Sequence, residues 1–191
     1  LSLEAARVAV DPFDVALGDL RDLRGSRHLV RRGTLQEALV ADVDTRIPAG
    51  AEIVADVVIE AFDGGVAVTG KLSSLWEGEC RRCMAPLDGE LVTDVRELFR
   101  RGGGEDEGTY PMAAEHINIR EMVNDALFVA LPLLPLCRED CRGICPRCGS
   151  DLNEAPCGCD EVHLDPRWSG LQVLVSGVEG TNEPGGQEVA G

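Results

Sequence analysis

Basic residues are scarce in this chain: 18 lysines and arginines stand against 34 aspartates and glutamates, a formal charge of -16 over 191 residues. Non-specific nucleic-acid binding rests on cations that displace phosphate counterions. A surface of this sign repels phosphate, so any RNA contact must come from a local basic patch or through a basic protein partner. No apolar run approaches the ~18 residues a membrane span needs, and no secretory signal is visible. These absences predict a cytoplasmic protein, where glutathione keeps thiols reduced and clustered cysteines are more often metal ligands than bridges. A phosphate-binding glycine loop is also missing, since Gly102, Gly103 and Gly104 run straight into Glu105, Asp106 and Glu107.

Cysteine is what the chain has in quantity. Two of the eight form Cys80-Arg81-Arg82-Cys83, and six fall in the 23 residues from Cys137 to Cys159. A Cys-x-x-Cys followed by glycine, as at Cys145, Cys148 and Gly149, makes a tight turn whose amides point at thiolate sulfurs, the geometry of a tetrahedral zinc site with bonds of ~2.3 Å. Eight thiols supply two such sites, predicting zinc as cofactor, two ions per chain. Two tetrathiolate sites would take the charge to about -20.

Spacing divides the ligands. Cys145, Cys148, Cys157 and Cys159 close one site within fifteen residues. Cys137 and Cys141 are four apart, hence on one face if that stretch is a helical turn, and their natural partners are Cys80 and Cys83. On this division the first ion pins the C-terminal segment to the core, and the second orders a loop-rich module. Other pairings, His163 in place of Cys159 among them, are the alternatives.

One basic patch is present. Leu20 to Gly33 carries Arg21, Arg24, Arg27, Arg31 and Arg32 against a single acid, Asp22. With Arg81 and Arg82 beside the first cysteine pair, these are the candidate RNA contacts. The competing reading of the segment is a solvated arginine-rich loop.

Periodicity predicts an α+β protein on an antiparallel sheet that could be barrel-like. Arg7 to Asp11 reads as a short strand. From Ala51 to Phe62, Ile53, Ala55, Val57 and Ile59 alternate with Glu52, Asp56 and Glu60, the period of a half-buried strand. Asp63-Gly64-Gly65 supplies a turn, and Val66, Val68, Leu72 and Trp76 carry the return strand into Cys80. Leu91 to Phe99 is a third strand, placing Cys80 and Cys83 at a hairpin tip. Arg101 to Thr109 has too little apolar content to pack. One main helix is expected over about 118–131, with Asn118 and Glu121 as a capping box and Pro132 as its stop. Asp165-Pro166 opens a short helix through Trp168, Leu171 and Leu174. The expected organisation is a sheet core over 1–136, a cysteine-rich zinc module over 137–176, and a disordered tail over 177–191.

Taken together, Gly70 through Cys80-Arg81-Arg82-Cys83, Leu131-Pro132, Cys137, the run Cys141-Arg142-Gly143-Ile144-Cys145-Pro146-Arg147-Cys148-Gly149, Asp151-Leu152-Asn153, Cys157-Gly158-Cys159 and Asp165-Pro166-Arg167 closely resemble the YceD family. The resemblance implies a non-enzymatic role in ribosome biogenesis, promoting accumulation of large-subunit ribosomal RNA. The partner it implies is a ribosomal RNA precursor or a basic large-subunit ribosomal protein. It also implies that the second cysteine site elaborates the fold, since some relatives keep counterparts of Cys80, Cys83 and Cys141, with Cys or His at 137, and lack the last four.

Two other classes compete. A thiol redox protein would use a Cys-x-x-Cys of depressed pKa, but such motifs stand alone rather than among six further cysteines. A zinc-ribbon transcription factor is opposed by Asp151, Glu154, Asp160 and Glu161. Hydrolysis at an open zinc site needs a vacant ligand position, which eight cysteines in two fours do not leave, so Glu79, Glu139 and Asp140 read as solvent charges or hydrogen-bonding neighbours.

Overall fold

The structure is a computed structural model describing residues 11–18, 25–42, 45–103, 108–159 and 167. In chain order its strands are β1 (Asp14–Ala16), β2 (Ser26–Thr34), β3 (Leu39–Asp42), β4 (Thr45–Ile47), β5 (Glu52–Phe62), β6 (Gly65–Glu79), β7 (Pro86–Arg100), β8 (Tyr110–Pro111) and β9 (His116–Asn118), followed by helix α1 (Arg120–Ala130).

The alternation in β5 sets the plane of the sheet. Ile53, Ala55, Val57 and Ile59 are fully buried while Glu52, Asp56 and Glu60 face outward. β5 pairs antiparallel with β6 from Phe62↔Gly65 to Ile53↔Ser74. β7 pairs with β6 along its whole length, from Gly65↔Arg100 to Glu79↔Pro86. With that edge of β6 occupied, β4 joins the edge used by β5, beyond its end, at Thr45↔Gly78 and Arg46↔Glu77. β2 lies outside β5, β3 beside β4, and β8 adds a short parallel pairing to β7.

The sheet is not closed into a barrel, which corrects the barrel-like form the periodicity allowed. Its inner face is covered by other elements instead. The β1–β9 ribbon and α1 bring Phe13, Val15, Leu17, Ile117, Ile119, Met122, Val123 and Leu127 onto the buried residues of β5, β6 and β7. Apolar area removed from water by these elements does not need an opposing wall of sheet.

The main helix begins close to its expected start. The expected capping box of Asn118 and Glu121 does not form: Ile119 is the N-cap and carries no side-chain cap bond. The Asn118 side chain accepts a hydrogen bond from the Arg120 amide at 2.9 Å, and the helix buries Met122, Val123 and Leu127. The arginine segment differs from expectation. Arg27, Arg31 and Arg32 belong to β2, which pairs with β5 from Ser26↔Glu60 to Thr34↔Glu52, so the loop reading is wrong for this part. Alternation puts Arg27 and Arg31 on the face of buried Leu29, and Arg32 on the other. The expected strand at Arg7–Asp11 (apart from Asp11), Arg21, Arg24, His163, the short helix through Trp168 and the tail over 177–191 lie outside the described residues.

Candidate functional site

The β6–β7 hairpin ends in a turn built from Cys80 to Ala85. The Cys80 amide donates to the Ala85 carbonyl at 2.8 Å, and the Met84 amide donates to the Cys80 carbonyl at 2.9 Å. Around Cys145 the same pattern recurs: the Cys145 amide donates to Ser150 at 2.8 Å, and the Gly149 amide to Cys145 at 2.9 Å. In each turn the residue after the second cysteine has positive φ, 60° at Met84 and 73° at Gly149. The two Cys-x-x-Cys segments are therefore the same turn, one with glycine at the left-handed position and one with methionine.

Each turn presents two sulfurs to two from elsewhere. Cys80, Cys83, Cys137 and Cys141 form one quartet and Cys145, Cys148, Cys157 and Cys159 another, with all sulfurs of a quartet within 4.8 Å of one another. Cys80 and Cys141 are 3.8 Å apart and Cys83 and Cys137 are 3.6 Å apart. Four sulfurs at ~2.3 Å from a central ion define tetrahedral edges of about 3.8 Å, so the first quartet has the dimensions of an ion site. No disulfide joins any of the eight. The quartets could each hold a metal ion, and their membership is the division that spacing predicts.

The electrostatics of the thiols fit a cation. At Cys80 burial opposes ionisation, but backbone amides of Cys137, Cys83 and Arg82 aimed at its sulfur bring its pKa down to about 6. The Ser150 hydroxyl and amide bring Cys148 down to about 6. Hydrogen bonding with Cys141 pushes Cys137 up to about 12, and the Cys148 thiol does the same to Cys159, also about 12. Some thiols in each quartet are drawn toward thiolate while others are held neutral, because adjacent thiolates repel. A divalent cation removes that conflict by accepting all four.

Arg82 fastens the first turn to the C-terminal segment. Its guanidinium donates to the carbonyls of Cys141 at 2.9 Å and Glu139 at 3.2 Å, while its own carbonyl accepts from the Ile144 amide at 3.0 Å. Gly143, at φ 75°, lies so close that an added Cβ would stand 2.8 Å from that carbonyl. The Arg81 amide donates to Pro135. Asn153 ties the quartets together. Its side-chain amide donates to Cys141 Sγ at 3.5 Å, and its Oδ1 accepts from the Arg142 amide and Arg138, both at 2.8 Å. The Asp151-Leu152-Asn153 motif was visible in the sequence, but its bonding was not.

Among the described residues, the candidate RNA contacts lie on both faces of β2 and in the first cysteine turn. Arg27 donates to the Ala16 carbonyl, Arg32 pairs with Glu52 at 3.5 Å on the outward face, and Arg82 is engaged as above. Of the carboxylates near the cysteines, Asp140 pairs only with Arg138 among the described residues.

Comparison with known proteins places the chain. It is 34% identical over 135 residues to uncharacterized proteins of Mycobacterium bovis and Mycobacterium tuberculosis, covering 68% of this chain and 65% of each relative. The chain thus spans just under two thirds of their length. A chloroplastic Arabidopsis thaliana protein named large ribosomal RNA subunit accumulation protein YCED homolog 1 is 27% identical over 70 residues, 37% of this chain and 22% of that protein. No solved structure matches significantly. The family model described as large ribosomal RNA subunit accumulation protein YceD matches residues 68–175, a span that holds all eight cysteines and both turns, and the chain belongs to the YceD family.

Proposed function

We propose that this chain is a non-enzymatic, zinc-stabilised factor that promotes accumulation of large-subunit ribosomal RNA in the cytoplasm, acting by binding a basic ribosomal protein. The role rests on the family's description. Binding is favoured over catalysis by ligand count: each quartet offers four thiols, whereas a catalytic zinc keeps one position open for water or substrate. The sulfur-only donor set also favours zinc over magnesium or calcium, which take oxygen ligands.

A basic protein is favoured over RNA as the direct partner by the charge of -16 and by the separation of Arg27 and Arg31 from Arg32 across β2. Affinity purification of the native protein, with sequencing of bound RNA and identification of bound proteins, tests this choice. Changing Arg21, Arg24, Arg27, Arg31 and Arg32 to Gln should leave the main interaction intact. If RNA is the ligand, the same change lowers the salt slope by about 0.7 to 0.9 log units for each phosphate no longer neutralised. Depletion in cells should lower large-subunit relative to small-subunit RNA. An unchanged ratio, with no second copy of the protein, would remove ribosome assembly and restore the redox and transcription readings.

A further inference from the structure

Two adjoining cavities of about 350 and 420 Å³ open between β7 and α1, sharing Glu97, Tyr110 and Asp125. Among the described residues their linings include Asp94, Glu97, Glu121 and Asp125 and no lysine or arginine. Asp94 is already paired with Lys71 at 2.8 Å, whereas among the described residues Glu97 and Glu121 make no ion pair. Glu97 is the most informative of these. It follows Leu91, Thr93 and Val95 on the inward face of β7 and is half-buried, an uncommon place for an uncompensated carboxylate.

The helix side carries a matching stripe. Glu121, Asp125 and Val129 recur every four residues on one face of α1. Asp125 accepts a hydrogen bond from the Tyr110 hydroxyl at 2.9 Å, and the Tyr110 ring stacks on Phe99. Burial, the bond to Asp125 and the charges of Asp125, Glu97 and Glu121 all push the Tyr110 pKa up, so the negative field converges on this cleft. Val129, at the end of the stripe, is 81% exposed, and Leu133 and Leu134, in the non-helical segment after the helix, are 63% and 68% exposed. Exposed apolar side chains beside a cleft of one charge mark a contact surface.

We propose that this cleft docks a basic amphipathic segment of a protein partner, with a lysine or arginine entering between Glu97 and Asp125 and apolar residues lying on Val129, Leu133 and Leu134. The inference rests on the basic-partner reading and locates its surface. Acids spread evenly over the protein would attract any cation; this cleft adds an apolar shelf and so discriminates amphipathic from merely basic ligands.

Binding of a labelled peptide about 18 residues long, with lysine and leucine at amphipathic helical spacing, tests it by fluorescence anisotropy. A second peptide with every leucine replaced by serine isolates charge. Glu97→Gln with Asp125→Asn should weaken the lysine-leucine peptide about tenfold or more, and Val129→Ser with Leu133→Ser should abolish its advantage over the serine peptide. Glu60→Gln with Glu90→Gln, the same charge change at exposed outward strand positions, should alter binding less than about twofold. Should Glu97→Gln prevent folding, Glu121→Gln with Asp125→Asn, both at exposed helix positions, replaces it. Equal weakening by the Glu60 and Glu90 pair overturns the cleft while leaving a basic partner in place. Failure of the native protein to bind either peptide, with binding to a single-stranded RNA oligomer, overturns both.

Discussion

Asn153 donates its side-chain amide to Cys141 Sγ at 3.5 Å, so a residue lying between the cysteines of the second quartet is bonded to a thiol of the first. The same side chain is held from behind, since Asp151 accepts from both its backbone and side-chain N–H groups at 2.8 and 2.7 Å. Ordering of the loop between Cys148 and Cys157 therefore presents a preset donor to Cys141. Partners of metal ligands set ligand orientation and typically contribute 10- to 100-fold in affinity. Asn153→Ala should weaken metal at the first quartet by about tenfold on that scale and leave the second nearly unchanged, read by stepwise release to a chelator. Simultaneous equal loss from both quartets would show a general loosening instead.

The paired turns make a prediction about Met84. A non-glycine residue at positive φ costs roughly 1 kcal/mol or more, and the Met84 side chain is 65% exposed, with little packing to offset that cost. Met84→Gly should stabilise the protein by about 0.5 kcal/mol after the unfolded-state entropy of glycine is set against the relief. Gly149→Ala should destabilise by about 1 kcal/mol. Chemical denaturation with metal present checks both, and a destabilised Met84→Gly would mean the methionine makes contacts that outweigh its backbone strain.

Much of this was legible in the sequence because period and spacing are local signals. Ile53 to Ile59 and Met122 to Leu127 carried their periods plainly, and the eight cysteines divided as they sit in space because four thiols within fifteen residues close on themselves. What stayed hidden was non-local. Arg27, Arg31 and Arg32 look like a basic loop until β5 is known to lie beside them, and nothing local told that β1, β9 and α1 would cover the sheet and leave it open. Glu97 was one acid among many until the inward face of β7 was known.

Asp11 anchors the start of α1. Arg120 donates to both of its oxygens, at 2.6 and 2.8 Å, and also stacks over the Phe13 ring at 4.8 Å. The Arg120 guanidinium, helped by the Phe13 amide and Asn118, holds the Asp11 carboxyl well below the usual carboxylate range against the opposing effect of burial. A carboxylate depressed on folding contributes stability that is full above its unfolded pKa near 3.9 and is lost as pH falls through the folded value. Asp11→Asn should cost about 1 to 2 kcal/mol at pH 7, with the difference from the native protein shrinking below about pH 4. A difference that stays constant down to pH 2 would assign the effect to shape rather than charge.

The two quartets should differ in what their loss does to the whole molecule. Cys80 and Cys141 are 61 positions apart, whereas the second quartet closes within fifteen residues. Closure entropy grows with the logarithm of loop length, which gives the first site about 1 kcal/mol more restraint on the unfolded chain. The first site also holds the β6–β7 hairpin, which runs through the core, against the C-terminal segment through Arg82 and Gly143. Cys80→Ser should therefore lower the cooperative melting transition of the entire protein, while Cys157→Ser should increase amide exchange mainly across 142–159 and leave the main transition in place. Hydrogen exchange and thermal melting on zinc-loaded protein separate these outcomes. Equal global unfolding by both substitutions would show that the second quartet is as integral to the core as the first.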